Sequence, residues 1–497
     1  DLVIWNGSQI RTAKVPTTPD QSEGVVAGAL EIATPETAGF AHGTTAATNA
    51  LLERKGAPTA LVTSPGFADV IEIGRQDRPS LYDTFADRPE PLVSPGRRFE
   101  VDDPATVPPD LGGAEAVAVS LIHGYRRADA EEALAAAVAA AHPGVTVSRS
   151  SRVAAEFREF ERTSTTVLNA YLSPVVGRYL RRLVERAAGA GLPGDVAVMR
   201  SSGGMMAAGE AAALPAAILL SGPAGGVIGA AGLGELLGMP RLVTFDMGGT
   251  STDVCRIEAG RPEVSHHREI DGYACLMPSV AVHTVGAGGG SLGWIDPGGS
   301  LRVGPSSAGA TPGPACYGRG GRGAAVTDAN VLLGRIDPGA RLAGRLPIRA
   351  DLAAAALAAL GEPVGLDPTA CALGMVTVVE EVMAGALRRV SVEEGADPRD
   401  ASLLAFGGAG GLHATALARR LGMAGVVVPP HAGVFSALGL LLSPPRVDWS
   451  RTVLVTAPAT DRLDVAVAEL AASAAAELRA TAGVEGAITT RSLIHIS

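Results

Sequence analysis

The segment from Arg241 to Cys255, RLVTFDMGGTSTDVC, restricts the possible folds more than any other part of the chain. An apolar run, Leu242 to Phe245, stops at Asp246. A Met-Gly-Gly-Thr turn follows, and β-branched and apolar residues resume through Thr252, Asp253, Val254 and Cys255. That order predicts strand, tight glycine turn, strand. Gly248 and Gly249 carry no Cβ, so a bulky anion can approach their backbone, and consecutive N–H groups in such a turn can point at phosphate oxygens. Thr250 and Thr252 add hydroxyl donors, and Asp246 and Asp253 are hard oxygen ligands of the kind that hold Mg²⁺ beside a nucleotide. A plain Gly-Gly hairpin is the bland alternative, but packing alone requires neither acid, so the combination predicts a phosphate clamp. The lysine-bearing phosphate loop is excluded. The chain has two lysines, Lys14 and Lys55, and Lys55 is followed by Gly56, so no G-x-x-x-x-G-K-[ST] exists.

Composition removes other classes. With 497 residues, two or three domains are expected. Hydrophobic content of 47%, charged content of 19% and 63 glycines describe a soluble α/β protein. A net charge of −10 and the lack of basic runs argue against nucleic acid. Cys255, Cys275, Cys316 and Cys371 form no C-x-x-C pair, which points to reduced thiols and a cytoplasmic location, with neither a disulfide framework nor a zinc site. Cys316, in a Gly/Pro-rich loop, is either a reactive thiol or an incidental buried cysteine. The uncharged run 211–234 contains Pro215, Pro223 and several glycines, so it reads as buried turn and helix, not a membrane span.

Read in order, Asp1 to Trp5 is a strand, Asn6-Gly7 a type I′ turn and Gln9 to Val15 the return strand. Residues 21–160 alternate helical and strand patterns. Thr44, Thr45 and Asn49 either present polar groups to a substrate or cap a helix. Arg75 and Arg78 are anion-binding candidates or solvated loop arginines. Phe157 to Leu172 is helical, with Pro174 opening a second helix through Ala188; Arg158, Glu161 and Arg162 read first as a helix-surface salt-bridge set and second as a substrate site. His283, before the glycines at 286 and 288–290, is an acid/base or metal-ligand candidate, or a structural histidine. Asp328 contacts metal or substrate, or caps its helix. A long apolar helix is expected over 369–390. Strand Leu403 to Phe406 then runs into Gly407, Gly408, Ala409, Gly410 and Gly411 and a helix, a nucleotide-binding arrangement. Because position 413 is His, the G-x-G-x-x-G spacing is absent and a dinucleotide site is disfavoured.

These motifs carry a family resemblance. FDMGGTSTDV at 245–254 resembles the second phosphate loop of the actin, sugar kinase and Hsp70 superfamily of ribonuclease-H-like ATPases. GTTAATNALLERKGAPTALVTSPGFADVIEIGRQDRPSLYD at 43–83, ERTSTTVLNAYLSP at 161–174, SGPAGG at 221–226, HTVGAGGGSLGW at 283–294, GPACYGRGG at 313–321, VTDANVLLGR at 326–335 and FGGAGGLHA at 406–414 resemble the hydantoinase A / 5-oxoprolinase / acetone carboxylase β-subunit family, in order over nearly the whole chain.

The resemblance implies an α/β fold of duplicated ribonuclease-H-like (actin/Hsp70-type) lobes around a nucleotide cleft. It implies ATP and Mg²⁺ as cofactors and a cyclic amide opened by phosphorylating its carbonyl oxygen, as in hydantoinases and 5-oxoprolinases. A ketone carboxylase β subunit and a non-enzymatic actin-like ATPase are the alternatives. Asp246 and Asp253 would hold metal or orient the attacking oxygen, with His283 as a further catalytic group. Gly248, Gly249, Thr250 and Thr252 would cradle phosphate, and Gly407, Gly408, Gly410 and Gly411 would wrap the adenosine. A B-type subunit and an oligomeric assembly are the implied partners. Expected domains are 1–160, the N-terminal domain; 161–460, the ATPase domain; 461–491, the start of a truncated C-terminal region; and 492–497, a non-native tail. The family pattern places a strand and a first glycine loop, GGTFTD, just before residue 1, so Asp1 is read as the last residue of that loop and the rest as missing.

Overall fold

The computed structural model describes every residue except 16, 17, 19, 104, 343–345, 455–459, 483–487 and 491–497. The expected tail at 492–497 and part of the 461–491 region therefore lie outside the described residues. The chain forms two compact units, one of residues 1–16, 223–263 and 280–442, the other of 17–222, 264–279 and 443–497. The α/β class expected from the sequence holds in both.

In the first unit the strand Leu242–Met247 is central. It pairs antiparallel with Thr252–Glu258 on one side and parallel with Ser402–Phe406 on the other, and Gly425–Val427 continues the parallel half. The far edge of Thr252–Glu258 carries His283–Val285 at one end and Arg261–Pro262 at the other, both antiparallel. Three antiparallel strands in hairpin succession with two parallel strands added on the opposite edge is the ribonuclease-H-like order. The apolar run Leu242 to Phe245 is fully buried, as a strand covered on both faces must be. One cover is the helix Pro368–Arg389, whose Val379, Met383 and Leu387 share a cluster with Val243, Phe245, Leu403 and Leu417. The segment Pro368–Glu394 is long and apolar enough to cross a membrane, but its apolar window is half buried in this core.

The helix Ser221–Leu236 covers its neighbours through glycine. A Cβ on Gly226 would lie 2.5 Å from the Phe406 ring, and one on Gly439, in the helix Phe435–Leu441, would lie 1.8 Å from the Gly225 carbonyl. Backbones this close admit no side chain, so small residues here set the helix contact.

The second unit has a four-stranded parallel sheet in the order Arg98–Glu100, Thr59–Thr63, Ala116–Ser120, Thr146–Arg149. A separate sheet joins Phe40–His42 in parallel to Val196–Met199, which pairs antiparallel with Met205–Ala207.

Several expectations are corrected. Pro174 does not open a second helix; one helix runs from Glu159 to Gly189 with Pro174 inside it. Leu168, Leu172, Val176, Leu180 and Leu183, on both sides of the proline, are buried in one core cluster, and that packing offsets the hydrogen bond the proline cannot make. Arg162 is no surface residue. It is fully buried, 3.5 Å from the equally buried Glu131, donates to the Leu121 carbonyl at 2.8 Å, and also pairs with Glu159. Glu161 instead takes Arg75 in a two-pronged bond at 2.7 and 2.8 Å, which accounts for one of the two candidate anion-binding arginines. The N-terminal turn is not type I′, because Asn6 has no positive φ. Its side chain accepts the N–H groups of Ser8 and Gln9, closing a longer loop between Trp5 and Ile10.

Candidate functional site

The antiparallel register of the central hairpin sets Asp246 directly opposite Asp253 and Met247 opposite Thr252. Opposed residues share a sheet face, so the two carboxylates stand side by side at the mouth of the turn. Burial pushes the Asp246 carboxyl up to about 6, and repulsion from Asp253 adds to it. The Ser436 hydroxyl, donating to Oδ2 at 3.1 Å, and the Lys14 ammonium pull the other way. Asp253 is braced by Thr284, whose hydroxyl donates to its Oδ1 at 2.5 Å.

The turn is held from behind. The Gly248 N–H bonds the Ser251 carbonyl at 3.0 Å, while the Gly248 and Gly249 carbonyls accept from Gly289 and Gly290 at 3.0 and 2.6 Å. Gly289 in turn accepts the N–H and the hydroxyl of Thr327, both at 2.7 Å. The loop at 286–290 therefore serves as a backbone brace. A Cβ on Gly288 would stand 2.7 Å from the Gly249 carbonyl, which explains a glycine there. Thr252, expected to offer its hydroxyl to phosphate, is fully buried and donates instead to the Ala287 carbonyl at 2.5 Å, tying the two loops together. Gly249 and Thr250 are exposed, and nothing lies within 4 Å of where a Gly249 side chain would begin.

The other glycine run reaches the same place. Gly407, at φ +80°, follows Ser402–Phe406, and its missing Cβ would sit 2.4 Å from Asp246 Oδ1 and 2.5 Å from the Met247 carbonyl. The Ala409 N–H bonds that carbonyl at 3.0 Å, and the helix Gly410–Leu421 starts immediately after. Gly408 is exposed over open space and Gly411 is exposed with only Val428 near, whereas Gly410 is buried against the Phe245 carbonyl. Asp246, Asp253, Gly248, Gly249, Thr250 and the 407–411 turn are thus assembled at one end of the sheet.

His283 is not part of that assembly. It pairs with Val254 while its neighbour Thr284 pairs with Asp253, and side chains alternate faces along a strand. His283 therefore lies on the opposite face from the two aspartates. Burial holds its pKa low, and its charged neighbours are Arg389 and Glu393. His413 is a buried structural group, with Nδ1 3.0 Å from Glu380 and Nε2 3.2 Å from the Asn330 amide nitrogen. Asp328 caps: its fully buried carboxylate accepts the N–H groups of Ala315, Cys316 and Ala325 at 3.2, 2.7 and 2.8 Å. Burial and the adjacent Asp328 raise the Cys316 thiol far above the reactive range. In the second unit, the Thr44 hydroxyl accepts the Ala46 N–H and the Thr45 hydroxyl accepts from the Asn49 side-chain amide, while Thr45, at the N-cap, makes no side-chain bond to the helix backbone.

Three contributors escaped the sequence reading. Thr284 was reachable through strand alternation once the pairing was known. Ser436 carried no local signal. Lys14 stood out only as one of two lysines.

Sheet order and glycine turns define the class: an α/β protein with a ribonuclease-H-like unit carrying paired carboxylates at the end of its central hairpin. Family profiles narrow it. Residues 162–448 match the hydantoinase/oxoprolinase profile and residues 1–108 the hydantoinase/oxoprolinase N-terminal region. The chain belongs to the hydantoinase/oxoprolinase family. It is 38% identical to an uncharacterized protein of Methanocaldococcus jannaschii over 91% of this chain and 72% of that one. It is 36% identical to the caprolactamase subunit alpha of Pseudomonas jessenii, over 83% of this chain and 62% of that subunit. The crystal structure of the ATP-dependent caprolactamase from Pseudomonas jessenii superposes with a TM-score of 0.80 at 32% identity, covering 96% of this chain and 74% of that one.

Proposed function

We propose that the protein is the A-type subunit of an ATP-dependent cyclic amidase that opens a hydantoin, 5-oxoproline or related lactam after phosphorylating its carbonyl oxygen. The observation that carries this reading is the opposed pair Asp246 and Asp253 above a turn whose outer glycines are open. Two like charges on adjacent strands are unfavourable unless a cation joins them, and burial first, with repulsion from Asp253 second, raises the Asp246 pKa. Among the described residues no three acidic, histidine or cysteine side chains gather to hold a metal alone. Two carboxylates suit Mg²⁺, which takes one or two carboxylates and fills its shell with water and phosphate oxygens.

Amide resonance makes ring opening by water slow; bound Mg·ATP would supply a phosphoryl group to the carbonyl oxygen, with ADP leaving. That transfer removes the resonance, so that water can add at the carbon and the C–N bond can break, the ring nitrogen leaving as the amine and the acyl phosphate being hydrolysed to carboxylate and phosphate. Asp246 and Asp253 hold the metal edge. The exposed amides from Gly249 onward face the phosphate tail, and Gly248 lets it approach. Gly408 and Gly411 would leave room for the adenosine, and Gly407 lets that turn close on Asp246. Thr252 acts by fixing the two loops to each other. The name of the Pseudomonas jessenii relative as a subunit supports a second, B-type chain as partner.

The test is ADP release by the protein co-purified with its partner subunit, with hydantoins, 5-oxoproline, caprolactam, and acetone plus bicarbonate as separate arms. Stimulation by a cyclic amide, abolished by Asp246→Asn, is expected. Stimulation by acetone and bicarbonate alone would replace the amidase with a carboxylase, and substrate-independent turnover would leave an actin-like ATPase.

A further inference from the structure

The glycine hairpin holds two acids and no base, so a phosphate tail placed on it would meet amides and a metal edge but no fixed side-chain cation. The structure brings one from the other end of the chain. Lys14 follows the return strand Ile10–Ala13 of the N-terminal hairpin. Its Cε comes within 3.8 Å of the position of a Gly433 Cβ. The same short segment supplies the Ala432 carbonyl that accepts the Gly407 N–H at 3.0 Å, and the Ser436 hydroxyl that reaches Asp246. Gly407 in turn closes on Asp246 Oδ1. The lysine stem is therefore fixed against the segment that backs the carboxylate pair, and each of Lys14 and Asp246 acts electrostatically on the other.

We propose that Lys14 is a direct ligand of the nucleotide's phosphate tail, supplying from the N-terminal hairpin the cation that the lysine-free glycine turn lacks. This rests on the phosphate-site reading above. The ammonium has three donors; one goes to Asp1 at 2.5 Å, and the side chain is 40% exposed, so it remains open to an anion. Its position also makes chemical sense. A compact ammonium balances the charge that collects where two carboxylates and a polyphosphate meet, and it does so without competing for the metal.

The test measures binding of ATP and of adenosine to the wild type, Lys14→Met and Lys14→Arg by calorimetry, with Mg²⁺ and again in EDTA. Thermal midpoints serve as the folding control. Lys14→Met is expected to weaken ATP binding roughly 10- to 100-fold, the loss of one charge-assisted hydrogen bond, while leaving adenosine binding unchanged. Lys14→Arg should recover most of the loss. The difference should persist in EDTA, because a direct ammonium–phosphate contact needs no metal. Equal ATP affinity in wild type and Lys14→Met overturns the proposal, as does a difference that vanishes in EDTA, which would mean that Lys14 only orients Asp246. A wild-type protein that binds adenosine but gains nothing from the phosphates overturns the phosphate-site reading itself.

Discussion

Replacing Gly407 by alanine separates the glycine that the site requires from the glycine beside it. Gly407 sits at φ +80°, where a residue with a Cβ costs about 1–2 kcal/mol. The added Cβ would meet Asp246 Oδ1 at 2.4 Å and the Met247 carbonyl at 2.5 Å, about 1 Å inside an ordinary contact. One of those groups is strand backbone and cannot swing away, so a further overpacking cost of about 1–3 kcal/mol follows. Against this, alanine restricts the unfolded chain and returns about 0.4–1 kcal/mol. The net loss centres on about 3 kcal/mol. In a unit of roughly 200 residues that corresponds to a fall of about 5–15 °C in the unfolding midpoint. Gly408→Ala is the control: nothing lies within 4 Å of its Cβ position and its φ is not positive, so its midpoint should match or slightly exceed wild type. Circular dichroism melts of the two variants decide the matter. Equal midpoints would refute the packing of Gly407 on Asp246. Gly407→Ala should also weaken ATP binding more than Gly408→Ala, because the displaced atom is a carboxylate oxygen of the site.

Other outcomes follow from the same geometry. The Asp246 carboxyl is raised in the folded protein to about 6 from an ordinary 3.8, so the native state binds the extra proton between those values and stability falls as pH rises through about 4 to 6. Asp246→Asn removes that dependence and should stabilise the unliganded protein by about 1–3 kcal/mol at pH 7.5 but little at pH 4, read by urea unfolding at both. His283→Ala should leave ATP turnover within about twofold of wild type, whereas Thr284→Val, which strips Asp253 of its brace, should lower it about 10-fold; comparable losses in both would contradict the register. Arg162→Met leaves Glu131 buried without its cation and should cost about 3–5 kcal/mol in urea unfolding, with Arg162→Met/Glu131→Leu recovering most of it.

The sequence by itself determined the central hairpin, because an apolar run, an acid and a Gly-Gly turn are local signals that survive without knowledge of partners. It also determined the family, since the same short motifs recur in order along the chain. The glycine turns at 248–249 and 407–411 were readable as turns, but only the structure shows that Gly407 admits no Cβ, which would meet Asp246 and the Met247 carbonyl, whereas a Cβ at Gly248 or Gly249 would meet nothing closer than 3.8 Å. The tertiary structure alone decided which side chains meet. His283 and Thr284 are adjacent in sequence and on opposite sheet faces, and only the pairing register tells which one joins Asp253. Pro174 looked like a helix boundary until burial on both sides of it carried the helix through. Lys14 and Asp246 are distant in sequence, and no periodicity links them; their electrostatic coupling and the placement of Lys14 beside Gly433 are properties of how the N-terminal hairpin packs, which local propensity does not encode.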